Sequence, residues 1–172
     1  MIKDINIIIP LRDEDEQAEI TVLSLKEKLK DLKKNFVITL IDDHSSDSTW
    51  DLLNQLKSKH ANVEIFKNEY EAGYGNAVRF GIEKNKCDSV VFFMGDCSDD
   101  PADIKTYVDY LDQGFDCVFG SRFIKSSKVV DYPLLKLILN RIANNFVRLL
   151  FFTKYNDVTN AFKAYKKELL ID

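Results

Sequence analysis

Three carboxylates, Asp96, Asp99 and Asp100, crowd the stretch "FFMGDCSDDP" (92–101), directly after apolar residues and before Pro101. Negative charge concentrated at the tip of an apolar strand points to a ligand that needs it. Hard carboxylate oxygens hold Mg²⁺ or Mn²⁺, which then bridge to phosphates. Carboxylates also accept hydrogen bonds from ribose hydroxyls and from the N–H groups of a base. The three acids divide by position. Asp100 precedes Pro101 and stands three residues before Asp103, the pattern of an N-cap with proline at the first helical position. Asp99 groups with it as a helix-start residue. Asp96, still on the strand end, is the metal candidate. A second acidic pair, Asp42 and Asp43, closes the apolar run "FVITLIDD" and suits a nucleoside. Asp43 or Ser45 could instead cap the helix that follows.

The elements that must position these acids alternate along the chain. "INIIIP" (5–10), "FVITLIDD" (36–43), "NVEIFKN" (62–68), "DSVVFFM" (88–94) and "FDCVFGS" (115–121) read as strands. Ala18, Val22, Leu25, Leu29 and Leu32 recur at helical spacing, with acids before them and lysines at their end, as the helix dipole favours. "SSDSTWDLLNQLKSKH" offers Ser and Asp caps and then a helix, and "AGYGNAVRFGIEKN" is a Gly-rich turn leading into another. Near-continuous apolar strands between helices predict one α/β domain over 1–172, a mostly parallel sheet with helices on both faces. Ligands of such sheets bind beyond the carboxyl ends of the strands. "PLRDEDE", "DDHSSD", "GDCSDDP" and "GSRF" should therefore share one edge and make the site.

Composition removes several classes of function. The 172 residues are 45% hydrophobic and 30% charged, which suits a soluble globular domain with a real core. A net charge of -4 argues against general attraction to nucleic acid. Cys87, Cys97 and Cys117 read as reduced thiols of a cytosolic protein. No Cys/His metal spacing occurs, and His44 and His60 stand alone. The apolar run of "MIKDINIIIP" is too short for a signal peptide, and no apolar stretch approaches the ~18 residues that span a bilayer. A dinucleotide fold would run its first strand into a Gly-rich turn. Here that turn holds Arg12, Asp13, Glu14, Asp15 and Glu16, whose four acids would repel a pyrophosphate. "GYGNAV" lacks the full fingerprint and follows the third strand.

"PLLKLILNRIANNFVRLLFF" (133–152) reads as a helix with a narrow polar stripe. Lys136, Asn140, Asn144 and Arg148 lie four apart, and Arg141 and Asn145 widen the stripe. Two readings stay open. It is a core helix that turns its polar stripe to the site, or an interfacial helix with its basic residues near lipid headgroups.

The blocks "IIIPLRDEDE", "LIDDHSSDST", "AGYGNAVRFG", "FFMGDCSDDP", "GSRF" and "NDVTNAFKAYKKELL" resemble, in order and over nearly the whole chain, those of family 2 glycosyltransferases. The likeness is greatest to the dolichol-phosphate mannosyltransferase-like branch, which uses polyprenyl-phosphate acceptors. The resemblance implies a GT-A (Rossmann-like) fold. It implies inverting transfer of a sugar from a GDP- or UDP-sugar to a polyprenyl (dolichyl or undecaprenyl) phosphate, with Mg²⁺ or Mn²⁺ as cofactor. It also implies a role in cell-envelope glycan synthesis and a cytoplasmic location, peripheral at the membrane through 133–152. Pro10, Arg12 and Glu14 then fall in the first nucleotide-contacting loop. Asp42, with Asp43, would bind the nucleoside, and Gly73, Gly75 and Asn76 would lie beside the donor. Asp96 matches the second acid of the family's Asp-x-Asp metal motif. Arg122 and Arg141 would meet the diphosphate, and Asp157 and Thr159 match a later Asp-x-Thr block.

One position departs from the family. The first acid of the metal motif falls on Met94, which leaves Asp96 as the firm carboxylate and Ser98 as a weak or water-mediated ligand. A polyprenyl phosphate is already an anion and needs no general base. Catalysis would then be positioning plus neutralisation of the leaving diphosphate. Family members continue beyond "KKELLID", so a domain truncated at its C-terminal end is expected. The alternatives are a family 2 transferase acting on a saccharide or protein hydroxyl, and a nucleotide-sugar-binding module without catalysis. A nucleotidyltransferase is disfavoured, since no Gly-rich, Lys-containing loop follows the first strand.

Overall fold

The computed structural model describes residues 1–125, 127 and 133–170. Strands β1 (Asp4–Leu11), β2 (Asn35–Asp42), β3 (Val63–Lys67), β4 (Ser89–Phe92), β5 (Cys117–Phe119) and β6 (Lys163–Lys166) form one sheet in the order β3-β2-β1-β4-β6-β5. The pairs β1–β2, β2–β3 and β1–β4 are parallel, whereas β6 runs antiparallel to both β4 and β5. Strand β5 therefore points the same way as β1 to β4. The carboxyl ends of those five strands lie on one edge, as expected. β6 adds a strand to those the sequence predicts: "KAYK" is short and lysine-rich, and only Phe162 and Ala164 betray its buried side.

Alternation along the central strands sorts side chains to two faces. Ile5, Ile7 and Ile9 of β1 join Val22, Leu25 and Leu29 of α1 (Asp15–Leu29), Leu53 and Leu56 of α2 (Thr49–Lys59), and Ile104, Val108 and Leu111 of α4 (Asp103–Asp112). Ile8, Ile41, Val90 and Phe92 face the other way, onto Ala77 and Phe80 of α3 (Tyr74–Lys84). Both faces of the sheet are thus covered, which is why its inner strands are mostly apolar, with buried Asn6 and Thr39 satisfying each other at 2.7 Å.

Helix α5 (Leu134–Leu150) is built the other way round. Its buried residue is Asn144, only 1% exposed. Leu134, Leu135, Ile138, Leu139, Ile142, Phe146, Leu149 and Leu150 are all exposed, as are Phe151 and Phe152 beyond its end. Of the polar stripe only Asn144 turns fully inward and Asn140 partly, while Lys136, Arg141, Asn145 and Arg148 are exposed, so the core-helix reading holds at Asn144 alone and the apolar remainder is not in the core. No helix among the described residues is long and apolar enough to cross a membrane.

Candidate active site

The first two strand-end loops are laced together. Asp13, at a left-handed φ of 55°, accepts the Ser46 N–H at 2.7 Å and the Ser46 hydroxyl at 3.1 Å. Its own N–H donates to Ser45 Oγ at 3.0 Å. The Glu14 N–H donates to Thr49 Oγ1 at 3.0 Å, and Ser48 Oγ donates to Asp15 Oδ2 at 2.6 Å. Two of the four acids therefore tie loops, which accounts for half of the charge that "RDEDE" concentrates. The Ser46 N–H holds the Asp13 carboxyl below its usual range. Glu14 is half-buried, and its carboxyl is raised by burial and by the negative charges of Asp96 and Asp47. The first loop thus faces the tip of β4. Pro10 lies beside Ile41 near the end of β1, and Arg12 is exposed in the loop.

On the β2 side, Asp42 and Asp43 are both buried. Asp42 Oδ1 accepts the Ser45 N–H at 3.2 Å. Asp43 is used by both oxygens: Oδ1 accepts Asn68 Nδ2 at 2.7 Å and Oδ2 accepts the Gly73 N–H at 2.9 Å. It anchors the loop between β3 and α3 rather than capping α2. Asn68, which no motif singles out, is the other half of that anchor, and its Oδ1 accepts the Tyr70 N–H at 3.1 Å. Gly73 (φ 150°) opens α3, and neither it nor Gly75 has anything within 4 Å of where a Cβ would stand. The space before them is open. Asn76 is turned to the loop, donating to the Glu71 carbonyl at 2.9 Å.

At the β4 tip, Gly95 is packed so closely on Leu11 that a Cβ there would collide with it. Thr21 Oγ1 donates to the Gly95 carbonyl at 2.9 Å and fixes the turn from behind. Asp96 is exposed, and its Oδ1 accepts the Ser98 N–H at 3.0 Å. The exposed Cys97 has a left-handed φ of 57°, with its sulfur 3.2 Å from Thr21 Oγ1. This turn sends Asp99 back toward the site instead of into a helix, which corrects its helix-start assignment. The nearby Met94 N–H favours the charged form of the Asp99 carboxylate. Oxygen Oδ2 of Asp99 is fully buried without a hydrogen-bond partner. Burial, and then the charge of Asp96, push the Asp99 carboxyl up to about 6, against the pull of Arg122. Asp100 caps as expected, but one turn early: its Oδ1 accepts the Ala102 N–H at 2.9 Å, and α4 proper starts at Asp103.

The described residues contain no group of three or more His, Cys, Asp or Glu arranged to hold a metal. What they offer is a pair of carboxylates, one with an orphaned buried oxygen. That hard-oxygen set fits Mg²⁺ or Mn²⁺ sharing its shell with phosphate and water.

The basic side of the site is organised by Asp157, which is 2% exposed. Its Oδ2 accepts Arg122 Nε at 2.8 Å and the Arg122 N–H at 2.9 Å, and its Oδ1 accepts Arg122 Nη2 at 2.7 Å. Burial works to raise the Asp157 carboxyl, but the hydrogen bonds and charge of Arg122 hold it below its usual range. Thr159 Oγ1 accepts from Arg122 Nη2 at 3.0 Å and from Asn144 Nδ2 at 2.9 Å. Asn144 Oδ1 accepts the Val158 N–H at 2.6 Å, so this one side chain fastens α5 to the "NDVT" segment. Arg122 and Arg141 both stand over the Phe123 ring, at 5.7 and 5.8 Å from its centroid. The sequence predicts both arginines at the site. The ring that gathers them forms no local pattern, whereas Asn144, the amide that docks α5, belongs to the polar stripe that the four-residue spacing predicts.

Comparison with known proteins places these features in context. Residues 6–172 match the family model described as Glycosyl transferase family 2. A dolichol-phosphate mannosyltransferase of Pyrococcus furiosus is 27% identical over 168 residues, which is 96% of this chain and 47% of that protein. A polyprenol monophosphomannose synthase of Mycolicibacterium smegmatis is 28% identical over 137 residues, 77% of this chain and 52% of that protein. The chain spans about half the length of these relatives. The structure of Mycobacterium tuberculosis glucosyl-3-phosphoglycerate synthase with Mn²⁺ and UDP-glucose superposes with a TM-score of 0.74 at 17% identity, covering 97% of this chain and 57% of that one. S. aureus TarS residues 1–349 give a TM-score of 0.62 at 17% identity, covering 97% and 48%. At such identities the likeness is one of fold.

Proposed function

Because the chain belongs to glycosyl transferase family 2 and has its GT-A fold, we propose that residues 1–172 form one catalytic unit of an inverting transferase. It would move a sugar from a nucleotide-sugar donor, a GDP- or UDP-sugar, to a polyprenyl phosphate. The observation that carries the reading is the polarity of the strand-end edge. Carboxylates at the ends of β2 and β4 stand on one side, and Arg122 and Arg141 gather on the other around Phe123. An edge with acids for a nucleoside and cations for phosphates suits a substrate that carries both.

Each side chain has a place in that reaction. Asp42 accepts hydrogen bonds from the base or ribose. Asp43 and Asn68 hold the loop whose Gly73 and Gly75 leave room for the donor. Mg²⁺ or Mn²⁺, held by Asp96 with Ser98 through water, would neutralise the diphosphate. Arg122 and Arg141 present positive charge to the departing diphosphate. Arg122 is oriented by Asp157, so its charge meets the phosphate in a preset direction. An acceptor phosphate oxygen attacks the anomeric carbon, the bond to the diphosphate breaks on the opposite face, and configuration inverts. The attacking oxygen is already anionic, so no side chain needs to remove a proton.

A polyprenyl-phosphate acceptor agrees with the names of both curated relatives. It also agrees with the outward apolar face of α5, which we read as resting on the cytoplasmic face of a membrane. Met94 favours a second reading, a nucleotide-sugar-binding module without turnover. Calorimetry with UDP- and GDP-sugars, with and without Mn²⁺, followed by a turnover assay with a polyprenyl phosphate, separates the two. Binding without transfer or hydrolysis would select the module, and no binding of any nucleotide would reject both.

A further inference from the structure

We propose that Asp99 is the second carboxylate of the divalent-cation site and stands in for the acid that Met94 does not provide. The inference rests on the transferase reading above and deepens it at one residue. The backbone geometry makes the substitution possible. The Ser98 N–H to Asp96 Oδ1 bond and the left-handed Cys97 reverse the chain. Asp99 then folds back on the β4 tip, near enough to the Met94 N–H for that group to favour its charged form. A carboxylate thus stands beside position 94 although residue 94 carries none.

The orphaned oxygen argues for a cation. A carboxylate oxygen only accepts, so Oδ2 of Asp99 needs an N–H, an O–H or a positive ion, and the structure gives it none of the protein's own donors. Native structures leave few such atoms, and an ion or water commonly accounts for them. The neighbouring charges narrow the choice. Asp96, the exposed acid of the same turn, places a second negative charge near Asp99. A divalent cation between Asp96 and Asp99 would satisfy the buried oxygen and relieve their repulsion together. Asp100 is excluded from this role, since its side chain is spent on the Ala102 N–H.

Mn²⁺ binding, followed by the loss of the free-ion electron paramagnetic resonance signal, tests the assignment without any turnover. The full chain is titrated with Mn²⁺ alone and in the presence of UDP or GDP. The parent should bind one Mn²⁺. Asp99→Asn should weaken that binding by about tenfold or more, and Asp100→Asn should leave it unchanged. Adding Met94→Asp to Asp99→Asn should restore it, which separates a lost ligand from a damaged fold. Unchanged Mn²⁺ affinity in Asp99→Asn, no rescue by Met94→Asp, or a parent that binds no Mn²⁺ under either condition would overturn the proposal. UDP and GDP binding is measured alongside by calorimetry, in Mn²⁺ and in EDTA. Its absence under both conditions would count against the transferase reading, while the titration with Mn²⁺ alone still decides the role of Asp99.

Discussion

Arg122 and Asp157 meet as a fork: Nε on Oδ2 at 2.8 Å and Nη2 on Oδ1 at 2.7 Å, with the Arg122 N–H adding a third bond at 2.9 Å. The carboxylate side chain is fully buried and the guanidinium about a quarter exposed. Removing one member of such a pair leaves the other without its partner in a poorly solvated place. Asp157→Ala should therefore cost about 2–4 kcal/mol in urea unfolding, and donor turnover should fall as Arg122 loses its orientation. A loss below about 0.5 kcal/mol would mean that the fork does not hold this corner of the fold.

The same pair predicts a pH dependence. The Asp157 carboxyl is depressed in the folded chain. Its contribution is thus fully present above the unfolded carboxylate value of about 3.9 and is lost as pH falls through the lower folded value. Urea midpoints of the parent and of Asp157→Asn should differ by a constant amount above about pH 5 and converge as the pH drops below that. A gap that widens on acidification would contradict the assignment.

Asp42 and Asp43 are adjacent yet should behave differently. Both oxygens of Asp43 are taken by Asn68 and Gly73, so Asp43→Ala should cost stability, about 1–3 kcal/mol for the buried groups it strands. Asn68→Ala should act on the same bond, and the double variant should lose less than the sum of the two. Asp42→Asn should instead weaken nucleotide binding by about 1.5–3 kcal/mol with the urea midpoint nearly kept. Calorimetry with free UDP and GDP, beside urea unfolding, tests both. An Asp42→Asn protein that binds nucleotide as well as the parent would move the nucleoside elsewhere.

These residues also mark how far the sequence could be read. Ile7, Ile38 and Val91 sit in near-continuous apolar runs, so the parallel core and its charged edge are visible from pattern alone. Asp43 and Asn68 are 25 residues apart, and their bond exists only once β2 and β3 pair. Asp99 looks like a helix-start acid because its sequence neighbours are Asp100 and Pro101, and only the left-handed turn at Cys97 sends it elsewhere. Strand β6 is hidden by its lysines. In α5 the four-residue spacing reveals a polar stripe, yet periodicity does not say which side of a helix the protein covers. Asn144 decides that through bonds to residues 14 and 15 positions away.

Asp100 provides a control on the stability of the acidic tip. Its side chain caps the turn before α4 through the Ala102 N–H at 2.9 Å. Asp100→Ala should lower stability by about 1 kcal/mol, the usual cost of a lost cap, with Mn²⁺ and donor affinity kept. Differential scanning calorimetry beside a donor titration checks it, and a loss of metal-dependent donor binding would show that the acids act as one cluster.

The outward face of α5 yields the last prediction. Leu135, Leu139, Ile142, Phe146 and Leu149 line an exposed helix, Phe152 at its end is 90% exposed, and Lys136, Arg141 and Arg148 are exposed on the same element. Soluble domains rarely leave so much contiguous apolar surface uncovered unless it has a contact to make. An interfacial contact combines burial of that face with attraction of the cations to anionic headgroups, and salt screens the second part only. The protein should therefore co-sediment with anionic vesicles, less so at high salt. Lys136, Arg141 and Arg148 changed together to Gln should reduce that binding. Leu139→Glu with Phe146→Glu should abolish it at either salt concentration. Because these two apolar side chains lie outside both core clusters, far-UV circular dichroism and the thermal midpoint should hardly change. A protein that stays in the supernatant under both conditions, or a charge-deleted variant that binds as well as the parent, would remove the membrane from the account of this helix.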